Sequence, residues 1–256
     1  MALRVADKLG LLGVIVPETD DLHDMPQSAP HVFDGWQHTL MVVERLHNIL
    51  TTISPYRTDE TAAVFDLGVI VMALDRYRSR LQAHIDTSLS EGRSHWALLL
   101  FAALMHDAGK PQTAEQDDSV QWHFYGHEKI GAEMIEQRAD ILRLSNVESQ
   151  RLAMIVKNHM RPLVLENPSK RSVHRFWHSL GEAGIDVCLL SLADYLGTYG
   201  MTLKQDDWLA HLERIRHLLE AYFDQYEQIV APPSLVDGRQ LMAELDLEPG
   251  ALIGEL

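Results

Sequence analysis

Apolar residues recur at helical spacing along most of this chain of 256 residues, and no segment alternates convincingly with the two-residue period of a β-strand. In the clearest case, residues 39–50, the apolar positions are Leu40, Val43, Leu46 and Leu50. The same spacing predicts further helices at about 61–85, 95–106, 128–144, 147–159, 172–180, 185–198 and 207–227. The pattern therefore predicts an all-α fold.

Prolines mark the boundaries between three parts of the chain. Pro26 and Pro30 precede the first strong helix, and the run Ala231-Pro232-Pro233-Ser234 follows the last one. The predicted parts are a helical lead-in of residues 1–30, a main domain of residues 31–230 and a short helical tail of residues 231–256.

The composition argues against several classes of protein. The chain has 22 basic and 37 acidic residues and a formal net charge of −15, which disfavours broad affinity for nucleic acids. Its only cysteine, Cys188, excludes an intramolecular disulfide and a cysteine-ligated zinc cluster, and its apolar setting predicts an inert buried thiol. The longest apolar run, residues 96–105, is about half of the ~20 residues that a membrane-spanning helix needs. Because the N-terminus also lacks the features of a secretory signal, we expect a cytoplasmic protein with no membrane partner.

The strongest chemical signal is the pair His106-Asp107, which follows an apolar helix and precedes Gly109. Adjacent side chains on a helix diverge by ~100°, so the pair converges on one ion best where the helix ends, and Gly109 supplies that end. An imidazole and a carboxylate together suit divalent cations, and zinc, manganese, iron, nickel and magnesium are all compatible. The polar residues 112–122 that follow are predicted to form a loop.

Four further residues accompany this pair. His38 begins an amphipathic helix, His127 follows a glycine turn, and His159 closes a helix. Asp194 lies on an apolar helix, where an isolated carboxylate would be costly to bury, so a metal ion or a charged partner is predicted beside it. For the histidines, the alternative is a core imidazole that is satisfied by a backbone carbonyl.

The other histidines have no such context. Six are predicted to be surface or packing residues: His84, His95, His174, His178, His211 and His217. The histidines at positions 23, 31, 47 and 123 stay unassigned, although His123 lies close enough to His127 in sequence to enter the same cleft.

The order of these residues resembles the signature of the HD-domain phosphohydrolases, which is a histidine, a later His-Asp pair and a still later aspartate. Here they are His38, His106-Asp107 and Asp194. Many binuclear members add two histidines, which His127 and His159 match in order. The resemblance implies an HD-domain helical bundle over residues 31–230 that binds one or two divalent ions (manganese, nickel, magnesium, iron or zinc). The implied metal ligands are His38, His106, Asp107, His127, His159 and Asp194.

Four longer strings are most similar to the body of bacterial CCA-adding enzymes and related tRNA nucleotidyltransferase or poly(A) polymerase-like proteins. The strings are His38-Thr39-Leu40, His106-Asp107-Ala108-Gly109-Lys110-Pro111-Gln112-Thr113, Phe124-Tyr125-Gly126-His127-Glu128 and His159-Met160-Arg161-Pro162. The tail, from Gly238 to Gly254, looks like the segment that follows the HD domain in those enzymes.

Two features depart from that family. The sequence has no Gly-Gly pair followed by a close pair of carboxylates, which marks the nucleotidyltransferase head, so we expect no nucleotide addition. Gln37 stands where many relatives carry an acidic residue, so we expect no carboxylate directly beside His38.

The resemblance implies hydrolysis of phosphomonoesters, nucleotides or 2′,3′-cyclic nucleotides. A bound divalent ion lowers the pKa of its water from about 15.7 toward about 7, so hydroxide becomes available to attack phosphorus. Asp107 is the expected bridging ligand, and Lys110 and Arg161 are the expected contacts to phosphate oxygens. If only one ion binds, His127 or His159 is free to donate a proton to the leaving group.

Two other classes of function are compatible with the sequence. The first is an RNA-binding body whose HD site binds without turnover, or a fragment of a longer nucleotidyltransferase; the acidic charge and the complete ligand set count against it. The second is a regulatory domain that binds a nucleotide without hydrolysing it. The expected partner is therefore a phosphate-ester or nucleotide substrate, with RNA as the alternative, and the oligomeric state is left open.

Overall fold

Helices make up nearly all of the regular structure of residues 2–54, 65–233 and 242, which are the residues that this computed structural model describes. Within them, the prediction of an all-α fold is confirmed. The α-helices are α1 (Ala2–Lys8), α2 (Leu11–Ile15), α3 (Gly35–Ile53), α4 (Phe65–Leu74), α5 (Arg78–Asp86), α6 (His95–Met105), α7 (His127–Ile141), α8 (Asn146–Asn158), α9 (Arg161–Val164), α10 (Lys170–Leu180), α11 (Ala183–Tyr199) and α12 (Gln205–Phe223).

Shorter elements connect these helices. They are 3₁₀ turns over Pro17–Leu22, Asp75–Tyr77, Pro111–Thr113 and Gly200–Thr202, and a π-helical turn over Tyr226–Val230. The 3₁₀ turn at Asp75–Tyr77 divides the predicted helix of residues 61–85, of which residues 61–64 lie outside the described part. The predicted helix of residues 207–227 likewise ends at Phe223, before the π-helical turn.

A small antiparallel hairpin replaces part of the loop that was predicted over residues 112–122. Its strands are β1 (Glu115–Gln116) and β2 (Trp122–His123), and Glu115 pairs with His123. The side chain of Asp117 accepts hydrogen bonds from the backbone nitrogens of Ser119 and Gln121, at 2.9 Å each, and so closes the turn. Strands of two residues are too short to show an alternating pattern, which is why periodicity missed them.

Helix α11 lies at the centre of the bundle, because residues 183–194 are buried without exception. A helix that is apolar on all faces belongs in the interior. It packs along α3 and also contacts α6, α8 and α12, while α7 packs along α8. One end of α11 therefore lies among the helices that carry the predicted metal ligands.

Polar caps determine where two of these helices begin. The side chain of Asp34 accepts a hydrogen bond of 2.7 Å from the backbone nitrogen of Gln37 and starts α3. A capping box of Ser145 and Glu148 starts α8. Such a cap typically stabilises a helix by about 1 kcal/mol. By fixing the first turn, the cap at Asp34 places His38 on the buried face of α3.

The lead-in packs directly against the main domain. Trp36 donates a hydrogen bond of 2.9 Å from Nε1 to Asp7, and Leu12 and Leu22 join the hydrophobic core. The limit between lead-in and main domain remains a prediction. Nearly all of the predicted tail lies outside the described residues.

Two expectations from composition can be compared with the structure. Cys188 is buried, and burial raises the pKa of its thiol, as expected for an inert core cysteine. No helix in the described part of the chain is long and apolar enough to cross a bilayer.

Candidate metal centre

The six predicted metal ligands meet in one buried region, which we call the metal centre: His38, His106, Asp107, His127, His159 and Asp194. They come from five different helices or from the turns that follow them. They form two triads of side chains whose ligand atoms lie within 4.8 Å of one another. The first triad is His38, His106 and Asp194, and the second is Asp107, His127 and His159.

The three ligand atoms of the first triad lie close to one another. Nε2 of His38 lies 3.3 Å from Nε2 of His106 and 3.2 Å from Oδ1 of Asp194. Nε2 of His106 lies 3.8 Å from the same oxygen of Asp194. All three ligand atoms therefore face a common point.

Asp107 belongs to the second triad and also contacts two histidines of the first. Its Oδ2 lies 3.3 Å from Nε2 of His38 and 3.2 Å from Nε2 of His106. Its Oδ1 lies 3.3 Å from Nε2 of His127 and 3.8 Å from Nε2 of His159. Those two histidines are themselves 3.3 Å apart at Nε2. Each carboxylate oxygen of Asp107 thus faces a different pair of histidines.

Backbone carbonyls orient three of the four histidines. Nδ1 of His106, His127 and His159 each donates to the carbonyl three residues earlier, at 2.7–2.8 Å. A neutral ring that carries its proton on Nδ1 presents a lone pair at Nε2, which is the form that ligates metals. Nδ1 of His38 is buried and has no hydrogen-bond partner among the described residues.

The donor set fits a divalent cation. Nε2 atoms lie 3.3 Å apart in two pairs of histidines, and two lone pairs at that distance repel unless a proton or a metal cation lies between them. Four-coordinate zinc with metal–nitrogen bonds of about 2.0–2.1 Å places neighbouring ligand atoms about 3.3 Å apart, so this spacing suits an ion of that size. Four imidazoles and two carboxylates can hold one ion or two, and they do not decide which metal it is.

The pKa shifts of His159, Asp107 and Asp194 favour the protonation states that bind metal, and the raised pKa values of His38 and His127 do not. Burial and the nearby charges of His106 and His127 lower the pKa of His159 to about 3. Burial would raise the pKa of Asp107, but the charges of His106 and Lys110 hold it well below its usual value. Burial would also lower the pKa of His127, but the hydrogen bond to Asp107 raises it. His127 therefore keeps a proton more readily than His159.

Gly109 brings the two halves of the centre together. A Cβ atom at this position would lie 2.2 Å from the carbonyl oxygen of His127 and 2.7 Å from the backbone nitrogen of Gly131. The turn after α6 therefore touches the first turn of α7 backbone to backbone. The sequence predicts that Gly109 ends the helix. In the structure Gly109 also allows this close approach, which places His127 beside Asp107.

The metal centre opens into a cavity of about 870 Å³. Asp107, His127 and Asp194 line it, together with Lys110, whose Nζ lies 2.6 Å from Oδ2 of Asp107 and 2.6 Å from Oε1 of Gln27. A cavity of this size holds a small organic ligand. Lys110 therefore lies in the cavity wall beside Asp107, and its contact to phosphate stays a prediction.

Arg161 is placed elsewhere. Its Nη1 donates to Oγ of Ser179 at 2.6 Å, and its guanidinium lies over the ring of Phe176. It does not line the cavity, so the predicted contact to phosphate is not supported by the geometry. Arg214, on α12, lines the cavity instead. The string around His159 drew attention to Arg161, whereas nothing local in the sequence marks Arg214.

Sequence reasoning also missed a second cluster, which we call the distal cluster: His84, His95, Arg151 and Asp186. Nε2 of His84 and Nε2 of His95 both lie 2.8 Å from Oδ1 of Asp186, and Nη1 of Arg151 lies 3.0 Å from Oδ2. Both histidines are buried, as their predicted packing role allows, but their shared partner was not predicted. The available signal was Asp186 itself, a carboxylate on the same apolar helix as Asp194.

Comparison with known proteins identifies one domain and two relatives. Residues 79–199 match the HD domain. The chain is 31% identical over 251 residues to the A-adding tRNA nucleotidyltransferase of Deinococcus radiodurans, a match that covers 98% of this chain and 47% of that protein. It is 27% identical over 257 residues to the CC-adding tRNA nucleotidyltransferase of Thermus thermophilus, with 98% and 46% covered. The chain thus spans about half the length of these curated relatives.

Proposed function

We propose that this HD-domain protein, a relative of the tRNA nucleotidyltransferases, is a metal-dependent phosphohydrolase that acts on phosphomonoesters, nucleotides or 2′,3′-cyclic nucleotides. The observation that carries the proposal is the position of Asp107, with one oxygen facing His38 and His106 and the other facing His127 and His159. A carboxylate whose two oxygens face two different pairs of histidines has the arrangement of a ligand shared by two divalent ions.

Each ligand has a proposed role. His38, His106 and Asp194 would hold one ion, His127 and His159 would hold the other, and Asp107 would bridge them. A divalent ion bound here supplies an ionised water as the nucleophile and positive charge for the phosphate oxygens.

Lys110 and His127 would act on the substrate directly. The ammonium group of Lys110 lies beside Asp107 in the cavity wall. There it would contact a phosphate oxygen and stabilise the charge that develops in the transition state. His127 also lines the cavity, so with a single ion bound in the first triad it would donate a proton to the leaving alkoxide.

The test is a metal-dependent assay with matched variants. The protein is stripped with a chelator and then assayed with manganese, nickel, magnesium, iron or zinc on p-nitrophenyl phosphate, a nucleoside 5′-monophosphate and a nucleoside 2′,3′-cyclic phosphate. We expect hydrolysis of at least one substrate, abolished by the chelator and reduced about a thousandfold by Asp107→Ala.

Asp140→Ala is the matched control, because Asp140 is an exposed aspartate near the end of α7. We expect it to retain wild-type activity. Full activity of Asp107→Ala, or hydrolysis that is unchanged by the chelator, would rule out the proposal.

A second candidate is RNA binding without turnover. It is favoured by the relatives, whose names say that they act on tRNA. The net charge of −15 counts against it. Titration of a tRNA at two salt concentrations separates the two functions, since binding that is strong and salt-dependent, in a protein inactive on all three substrates with every metal, would favour this candidate.

A further inference from the structure

We propose that Arg214, oriented by His211, binds a second anionic group of the substrate, apart from the phosphate that reacts at the metal centre. This inference rests on the proposed function, because it names the class of phosphate ester that the cavity accepts. The class is a phosphate ester that carries another phosphate, such as a nucleoside bisphosphate.

Arg214 is a cation in the cavity wall with no acidic partner. Its Nη1 contacts the carbonyl oxygen of Pro162 at 3.4 Å and Nδ1 of His211 at 3.2 Å. Among the described residues it forms no ion pair, although Glu166 and Asp207 line the same cavity. Most of the donors of its guanidinium are thus left for a ligand, and a planar guanidinium binds phosphate with two parallel hydrogen bonds.

His211 holds this guanidinium in place. The imidazole is buried, and its Nε2 lies 3.3 Å from the carbonyl oxygen of Ser191 and 3.2 Å from its hydroxyl. With Nε2 as the donor, Nδ1 is left as an acceptor for Arg214. Burial and the charge of Arg214 lower the pKa of His211 to about 4, so the ring stays neutral and keeps that acceptor at neutral pH.

The site at Arg214 is separate from the metal centre but close to it. Tyr195, which follows the ligand Asp194 on α11, stacks on His211 with ring centroids 4.4 Å apart and an angle of 9°. Tyr195 and the imidazole of His211 thus link Asp194 to Arg214 through direct contacts. Neither Asp194 nor Asp107 is paired with Arg214, since their basic partners are histidines and Lys110. A substrate with one phosphate at the centre therefore has a second cation to reach.

The cavity also supplies surfaces for an aromatic base. Trp122, Phe124 and Tyr125, on or next to the hairpin, line it, and the ammonium of Lys110 lies 5.3 Å from the ring centroid of Phe124. Tyr195, which stacks on His211, and Tyr199, whose ring centroid lies 4.8 Å from that of Tyr195, line it as well. A cavity lined by aromatic side chains and two cations fits a nucleotide with two phosphates.

The test compares two ligands that differ by one phosphate. Adenosine 3′-monophosphate and adenosine 3′,5′-bisphosphate are titrated by calorimetry against the protein in the presence of chelator, so that no turnover occurs. We expect the bisphosphate to bind about tenfold more tightly, and we expect Arg214→Met to remove this preference. With metal added and activity present, the same variant should raise KM for the bisphosphate and leave kcat unchanged.

Arg216→Met is the matched control, because Arg216 lies on the same helix and is already paired with Glu213 and Glu220. It should keep the preference. His211→Gln, which can still accept from Arg214, should keep most of it, and His211→Phe should lose it. Equal binding of the two ligands to the wild type, or a preference that survives Arg214→Met, would overturn the inference. A protein that shows the preference but hydrolyses nothing would refute the proposed function alone.

Discussion

The metal centre and the distal cluster contain the same residue types, yet their atoms are arranged in different ways. In the distal cluster, both imidazoles point Nε2 at one carboxylate oxygen at 2.8 Å, and Arg151 occupies the other oxygen. In the metal centre, Nε2 atoms face each other at 3.3 Å. The side chains of the distal cluster thus satisfy one another with hydrogen bonds, whereas the paired nitrogens of the metal centre have the spacing of ligands to one divalent cation.

The two clusters share helices α6, α8 and α11. α6 carries both His95 and the approach to His106, and α11 carries both Asp186 and Asp194. On α11 the two aspartates are eight residues apart, which corresponds to about 12 Å along the axis. The comparison teaches that a His-His-Asp composition on adjacent helices does not by itself predict a metal site. What distinguishes the two is the direction of the imidazoles, whose Nε2 atoms point at one carboxylate oxygen in the distal cluster and face each other in pairs in the metal centre.

The largest expected effect is on metal binding. We expect His38→Ala and His159→Ala each to lower the metal content of the purified protein, because each removes a ligand from a different triad. We expect His84→Ala and His95→Ala to leave the metal content unchanged. Elemental analysis of the four variants measures this. An ion that is lost on His84→Ala and retained on His38→Ala would reverse the comparison.

A second prediction concerns the glycine that closes the metal centre. Gly109→Ala should lower kcat by about a hundredfold, because its Cβ would meet the backbone of His127 at 2.2 Å and displace that ligand. Gly184→Ala, beside the distal cluster, is the matched change, since its Cβ would meet the ring of Trp177 at 2.5 Å. We expect it to lower thermal stability and leave kcat of the folded protein nearly unchanged. Equal losses of kcat would show that the metal centre is not especially sensitive to backbone packing.

A third prediction concerns stability without metal. Asp186→Ala should lower the free energy of unfolding by about 3–5 kcal/mol, because it leaves Arg151 and two buried histidines without their common acceptor. Asp194→Ala should lower it less, because His38 and His106 still lie 3.2–3.3 Å from Oδ2 of Asp107 after this carboxylate is removed. Urea denaturation in chelator measures both. A larger loss from Asp194→Ala would indicate that the metal centre also holds the fold together.

The helices and the grouping of the candidate metal ligands could be predicted from the sequence. The other features of the two clusters depend on distances that the sequence does not contain. The order of His38, His106-Asp107, His127, His159 and Asp194 matches a family signature. That resemblance was enough to predict that these side chains lie close together in the fold. The helices followed from periodicity. Both kinds of signal are local or ordered along the chain.

The distal cluster and the position of Arg214 in the cavity wall were missed for the same physical reason. His84 and Asp186 are 102 positions apart and belong to no recognised string. Arg161 follows His159 closely, but the turn of α9 directs it toward Ser179, and Arg214 reaches the cavity from another helix. Which of two arginines faces a cavity is decided by the rotation of a helix, and a short sequence string does not specify that rotation.

The smallest expected effect is the pH dependence of the distal cluster. Burial would raise the pKa of Asp186, but hydrogen bonds from His84 and His95 hold it below its usual value. A carboxyl group whose pKa is lower in the folded than in the unfolded chain stabilises the fold above its unfolded pKa of about 3.9, and this contribution is lost as the pH falls further.

The difference in unfolding free energy between the wild type and Asp186→Asn should therefore be constant from pH 7 to about pH 5 and narrow toward pH 3. Asp140→Asn, at an exposed position, provides the baseline and should show no such narrowing. Denaturant titrations at each pH, in chelator, measure both differences. A difference that stays constant down to pH 3 would mean that neither the histidines nor Arg151 hold Asp186 as a carboxylate, and the description of the distal cluster as a self-satisfied network would then be wrong.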